Sequence, residues 1–195
     1  NIIGLGKAGC QIAKNFEIYK QYSIFCIDTE NAGYPTFLPV KVQNSHEDYE
    51  KNYKTLNLGK CKGKTTLILS GGGKISGCAL RLLEQLQQCI IYVKPDELVM
   101  TEITQARDNV VFGVLQEYSR SNKINKFFIV SNKCIESITG GVSIKNYWEE
   151  INSVISSTYH MINVFQNTEP LLATSVAMKP TVKIGTFGVV NFETE

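Results

Sequence analysis

The chain has 195 residues, 43% of them hydrophobic and 19% charged, with a formal net charge of +2. At about 100–200 residues per domain, this length allows one domain, or one domain with part of a second. The apolar share excludes a disordered chain, which could not bury enough surface to offset its ordering entropy. The weak net charge excludes the broad basic field of a nucleic-acid binder, so no direct nucleic-acid partner is expected.

In chain order, Ile2–Leu5 is a short apolar run ending in glycines, and residues 10–19 read as a helix. Residues 23–27 (SIFCI) form a second buried strand, closed by Asp28. Residues 31–39 hold a glycine and two prolines and read as a loop. A polar stretch at 45–54 reads as helical and the Gly/Lys-rich stretch at 59–64 as a turn. Residues 65–70 (TTLILS) are a third strand, running into Gly71-Gly72-Gly73. Ala79, Leu82, Leu83 and Leu86 then recur at the spacing of an amphipathic helix.

Residues 90–93 are a strand stopped by Pro95. Ile103, Ala106, Val110 and Val114 mark the apolar side of another helix, and residues 127–130 form another strand. A longer helix ahead of Pro170 carries Ile151, Val154, Ile155, Thr158, Ile162 and Phe165 on one face. Residues 182–192, rich in β-branched side chains, read as a strand. Short continuous apolar strands separated by helices predict an α/β fold: a Rossmann-like parallel sheet with helices on both faces. Ligands bind such sheets at the carboxyl ends of the strands, so the chemistry is expected after Leu5, Ile27, Ser70, Val93 and Val130.

Two loops on that edge are rich in glycine. Gly4-Leu5-Gly6-Lys7-Ala8-Gly9 is a G-x-G-x-x-G between a strand and a helix. Glycines there let the backbone turn tightly and approach a phosphate, while the helix N-terminus presents free N–H groups to the anion. Asp28 ends the next strand, the position from which a Rossmann acid holds a ribose hydroxyl. Ser70-Gly71-Gly72-Gly73-Lys74-Ile75-Ser76-Gly77 again joins a strand to a helix. Consecutive glycines can form a nest of N–H groups around an anion, and Ser76 can cap the helix. One such loop suffices for a dinucleotide; two suggest a polyphosphate gripped from both sides.

Cys10, Cys26, Cys61, Cys78, Cys89 and Cys134 show no C-x-x-C pairing, which reads as reduced thiols in a cytoplasmic protein rather than a disulfide framework. With His46 and His160 as the only histidines, no zinc site is expected. No stretch approaches the roughly 20 apolar residues of a membrane span, and no signal-peptide pattern is present.

At the two loops and three further segments, the sequence resembles the tubulin/FtsZ superfamily. Gly6-Lys7-Ala8-Gly9-Cys10-Gln11-Ile12-Ala13 is similar to the tubulin segment G-Q-[AC]-G-x-Q-I-G, and residues 71–77 to the signature G-G-G-T-G-[ST]-G. Residues 26–32 resemble the N-T-D-A segment of FtsZ, Val93-Lys94-Pro95 its T-K-P, and Ile129-Val130-Ser131-Asn132 its I-P-N. The resemblance implies GTP or GDP as ligand, with Mg2+ as a candidate companion ion. Phosphate contacts would fall to Gly6, Lys7, Gln11, Gly71, Gly72, Gly73, Lys74 and Ser76. Asn132 would pair with the guanine base, with Trp148 stacking on it and Asn152 pairing from the same face of the long helix. Arg107, like Glu102, is a weaker match, for ribose or phosphate. The resemblance also implies self-association into head-to-tail protofilaments, with hydrolysis completed by acids that a neighbour inserts from an N-x-D-x-x-D segment.

Asn167 and Glu169 match the first half of that segment, with Glu for Asp, whereas Leu172 stands where the second acid belongs; the resemblance implies a GTPase, and these departures count against rapid hydrolysis. Lys7 replaces a tubulin Gln, and Lys74-Ile75 replace the signature's Thr-Gly. The resemblance divides the chain into a GTP-binding domain (1–144), a long central helix and following loop (145–169), and the incomplete start of a second, activation-type domain (170–195). Two other readings stand beside the polymerising GTPase: a tubulin-like structural protein that binds nucleotide with little hydrolysis, and an NAD(P)-binding Rossmann oxidoreductase resting on Gly4, Gly6, Gly9 and Asp28.

Overall fold

The computed structural model of the protein describes residues 1–52, 58–59, 61, 63–86, 89–139, 143–168 and 183–188. Seven strands form one sheet: β1 (Ile2–Leu5), β2 (Ile24–Asp28), β3 (Phe37–Pro39), β4 (Thr66–Leu69), β5 (Cys89–Lys94), β6 (Lys126–Ser131) and β7 (Ile184–Gly185). Their order is β3-β2-β1-β4-β5-β6-β7, and every described pairing is parallel. Among the described residues, six α-helices accompany them: α1 (Gly6–Lys14), α2 (His46–Lys51), α3 (Cys78–Gln85), α4 (Glu102–Arg120), α5 (Asn132–Thr139) and α6 (Tyr147–Asn167).

The continuous apolar character of the strands follows from burial on both faces. Successive side chains point to opposite sides. Ile2, Cys26, Ile68, Ile91 and Phe128 pack into one core with α1, α5 and α6. Ile3, Ile27, Leu67, Leu69, Ile90, Tyr92 and Phe127 pack into the other with α2, α3 and α4. This is the expected Rossmann-like α/β architecture with helices on both faces. Because each βα turn leaves a carboxyl end, the glycine loops, Asp28, Lys94 and Asn132 come to one edge.

Several local expectations are corrected. Residues 37–39 are a strand rather than loop, pairing Cys26 with Phe37 and Asp28 with Pro39 at the sheet's margin. Proline, which cannot donate to a ladder, is tolerated on such an edge. The helix expected over 10–19 is α1 followed by a 3-10 turn at Asn15–Ile18. Helix α5 is an additional element that its short apolar pattern concealed.

The buried side of α4 is Asp108, Val111, Leu115 and Ser119, whereas Ile103 and Val110 are 64% and 55% exposed. Two polar residues in the buried stripe displaced the apparent apolar face. On α6 the core residues are Ile151, Ile155, Ser156 and Tyr159, and Phe165 is 66% exposed. Of residues 170–195, the described part supplies β7 and the three residues after it, with Phe187 packed on Phe128 at 5.3 Å between ring centres.

Leu82 of α3 is fully buried. Leu82→Ala is therefore expected to cost about 2–5 kcal/mol, while Ile103→Ala should stay within about 0.5 kcal/mol. Urea unfolding of the two variants checks the assignment, and equal costs would return Ile103 to the core.

Candidate functional site

The site begins where α1 meets the sheet. A Cβ on Gly9 would run into the backbone oxygen of Ile68 in β4, and one on Gly4 would lie 2.5 Å from the Gly9 oxygen. Glycine at these two positions lets α1 press its first turn directly onto β1 and β4. Between them Gly6 has φ +68, a conformation that side chains disfavour. A Cβ there would sit 2.8 Å from Ile75 Cγ2. The first loop therefore touches the second, and Lys7 and Lys74 extend from the pair into solvent.

The triple-glycine loop is held from inside. Ser76 Oγ lies 2.7 Å from the Gly71 carbonyl and 2.6 Å from the Gly73 carbonyl, and the Ser76 N–H donates to Gly73 O at 3.1 Å. The Gly71 backbone packs directly against Tyr92 and Asp108: a Cβ there would run into the Tyr92 hydroxyl and lie 2.7 Å from Asp108 Oδ1. Gly71 is buried, Gly72 half-buried and Gly73 exposed. The free face of the loop is thus its Gly72-Gly73-Lys74 end, opposite Gly6-Lys7.

Asp28 lies at the same edge. Its Oδ1 accepts the Thr29 N–H at 2.8 Å. Partial burial raises its pKa above the ordinary carboxylate value, against the pull of that hydrogen bond and of the Lys7 charge. Gln11 is half-buried one turn into α1.

The expected base-binding residues fall on the α1-α5-α6 side. Asn132 opens α5 at the end of β6 and is buried, while Trp148 is 60% exposed, its ring edge-on to Tyr147 at 5.0 Å between centres. Tyr147 Oη lies 3.3 Å from Glu136 Oε2, which ties the start of α6 to α5. Asn152, one turn beyond Trp148, is half-buried. Arg107, expected at the ribose or phosphates, lies on α4, whose Thr104 and Asp108 flank Gly72 and Gly71, and its charge acts on His46 and Glu47 of α2.

Asn167 is at the far end of the molecule. Helix α6 runs from the carboxyl edge to the amino edge over 21 residues, about 30 Å at the usual rise. Lys64 Nζ, just before β4, donates to Asn167 Oδ1 at 2.6 Å, and Asn167 Nδ2 donates to Asn163 O at 2.7 Å. The glycine loop follows the other end of that same strand. Glu169 lies outside the described residues, as does Leu172.

Among the described residues, no group of three His, Cys, Asp or Glu side chains is disposed to hold a metal ion, and no helix is long and apolar enough to cross a membrane. Lys64 and the Asp108–Tyr92 pair were not singled out by sequence. Asp108 had one signal, an acid in line with Val111 and Leu115; Lys64 had none.

No family model matches the sequence, and no curated protein matches it. Solved structures do match the fold. The chain is similar to CetZ from Methanosaeta thermophila, with a TM-score of 0.61 at 13% identity over 89% of this chain and 56% of that one. It is similar to an FtsZ dimer from M. jannaschii, with a TM-score of 0.64 at 10% identity over 89% of this chain and 57% of that one. The protein therefore has the tubulin/FtsZ fold, and it spans a little over half the length of these structures.

Gly9→Ala would force backbone apart from backbone, so it is expected to destabilise by about 1–3 kcal/mol or more. In Gly72→Ala the new methyl meets Met100 Cε at 3.4 Å and Thr104 Cβ and O at 3.8 Å, all ordinary contact distances, so stability should hold within about 0.5 kcal/mol. Thermal denaturation distinguishes them; a silent Gly9→Ala would contradict the close approach.

Proposed function

We propose that the protein binds a guanine nucleoside di- or triphosphate at the carboxyl edge and self-associates head to tail, as a tubulin/FtsZ-like cytoskeletal protein. The observation that carries this reading is the separation of two expected half-sites. The phosphate loops and Asn167 lie at opposite edges of one sheet, so a single copy cannot bring them together. Stacking one copy's amino edge on the next copy's carboxyl edge would.

In this reading the Gly72 and Gly73 amides, at the free end of the loop, and the Gly6-Lys7 turn face the phosphates. Free N–H groups and two ammonium groups suit a polyphosphate on both charge and hydrogen-bonding grounds. Gln11 supports the first loop's helix. Gly71 and Ser76 hold the second loop, since their hydrogen bonds are already made inside it. Trp148 offers a free ring for stacking, and Asn132 and Asn152 offer amides for base edges. Mg2+, if it accompanies the nucleotide, would take phosphate oxygens as ligands, with Lys7 and Lys74 sharing the neutralisation.

The hydrolytic step calls for groups that orient water beside the terminal phosphate. Asn167 and Glu169 are the candidates, supplied by the neighbouring copy. Asn167 is engaged by Lys64, and Leu172 replaces the second acid, so we infer slow turnover. That favours filaments outliving many nucleotide-binding events over rapid cycling. The six unpaired thiols support a reducing, cytoplasmic setting.

The test mixes the protein with GTP, a slowly hydrolysed GTP analogue or NADH, and follows nucleotide retention, light scattering and phosphate release. GTP retention with a rise in scattering and little phosphate release is expected. NADH retention with no affinity for GTP would replace this reading by the dinucleotide one. Trp148→Ala should weaken GTP binding by about 1–3 kcal/mol, the weight of base–aromatic stacking; unchanged affinity would displace the base site from α6.

A further inference from the structure

Behind the triple-glycine loop lies a pair of buried polar side chains that no step above uses. Asp108 on α4 is 2% exposed and Tyr92 on β5 is fully buried. The Tyr92 hydroxyl donates to Asp108 Oδ1 in a short hydrogen bond and lies 3.3 Å from the Asp108 backbone oxygen. A Cβ on Gly71 would collide with the Tyr92 hydroxyl and would lie 2.7 Å from Asp108 Oδ1. Gly71 is thus pressed flat against the pair, with its carbonyl held by Ser76.

Burying a carboxyl group costs free energy unless its lone pairs are filled. Here the Tyr92 hydroxyl supplies a donor, and the loop backbone at Gly71 closes over the pair. A carboxylate only accepts hydrogen bonds, and it repels phosphate. Its presence behind an anion loop therefore has no use in direct contact. What it does is fix the amide plane at Gly71, and with it the direction in which the Gly72 and Gly73 amides point.

We propose that Asp108 and Tyr92 are positioning residues for the phosphate loop: together they lock the Gly71 peptide so that the Gly72-Gly73 amides are preset for a nucleoside di- or triphosphate. This rests on the nucleotide reading of the carboxyl edge, but it is separable from it. Presetting removes an ordering cost that would otherwise be charged against binding. Two elements from different parts of the chain, β5 and α4, thereby set the geometry of a third.

The experiment uses the full chain with Tyr92→Phe and Asp108→Asn, measuring affinity for GTP, GDP and guanosine beside amide hydrogen exchange at residues 71–76. Tyr92→Phe should weaken GTP and GDP binding about two- to tenfold, the weight of one ordinary hydrogen bond, and Asp108→Asn roughly tenfold or more. Guanosine, which lacks phosphate, should bind both variants as it binds the wild type. Exchange should speed up at residues 71–76 while β4 and α3 stay protected.

Unchanged GTP affinity in variants whose loop exchange is also unchanged would overturn the proposal. So would tighter GTP binding by Asp108→Asn, because the acid would then act through its charge. An equal loss for guanosine would reduce the pair to a general structural role. If Asp108→Asn fails to fold, the more conservative Tyr92→Phe carries the test. Wild-type protein that binds no GTP would sink the nucleotide reading, whereas wild-type binding with silent variants would sink this inference alone.

Discussion

The architecture depends on one close backbone contact, the approach of α1 to β4 at Gly9. Because no Cβ stands between Gly9 and the Ile68 carbonyl, the first turn of α1 sits directly on the sheet. That closeness sets Gly6 against Ile75 and so brings the two glycine loops together. With both loops joined, the carboxyl edge presents one continuous rim of small residues flanked by Lys7 and Lys74. A side chain at Gly9 would push α1 away from the β4 backbone.

The second constraint is the parallel sheet itself. Parallel strands need crossover helices, which cover both faces and send every βα turn to the same edge. The consequence for function is polarity. Both glycine loops gather at one end, and α6 carries Asn167 to the other, where Lys64 receives it. A molecule built in this way has two unlike ends, and repeated stacking of one on the other produces a line rather than a closed pair.

Much of this was legible in the sequence. The strands were visible as apolar runs because burial on both faces removes alternation, and the two glycine loops were visible because close approach has few solutions other than glycine. The face of α4 was not. Asp108 and Ser119 occupy its buried stripe while Ile103 and Val110 face outward, so counting apolar residues pointed to the wrong side. Strand β3 ends in Pro39 and contains three residues, too few for a periodic signal. The anchoring of Gly71 depends on Tyr92 and Asp108 meeting across β5 and α4, a tertiary fact that no local pattern encodes.

The central claim is that a nucleotide's phosphates rest between the Gly6-Lys7 turn and the Gly72-Gly73-Lys74 end of the second loop. The most direct measurement is an experimental structure of the full chain with a slowly hydrolysed GTP analogue. Phosphate density within hydrogen-bonding distance of the Gly72 and Gly73 amides, with the base beside Trp148, is the predicted result. Phosphates bound elsewhere, or a carboxyl edge left empty at saturating nucleotide, would contradict the account.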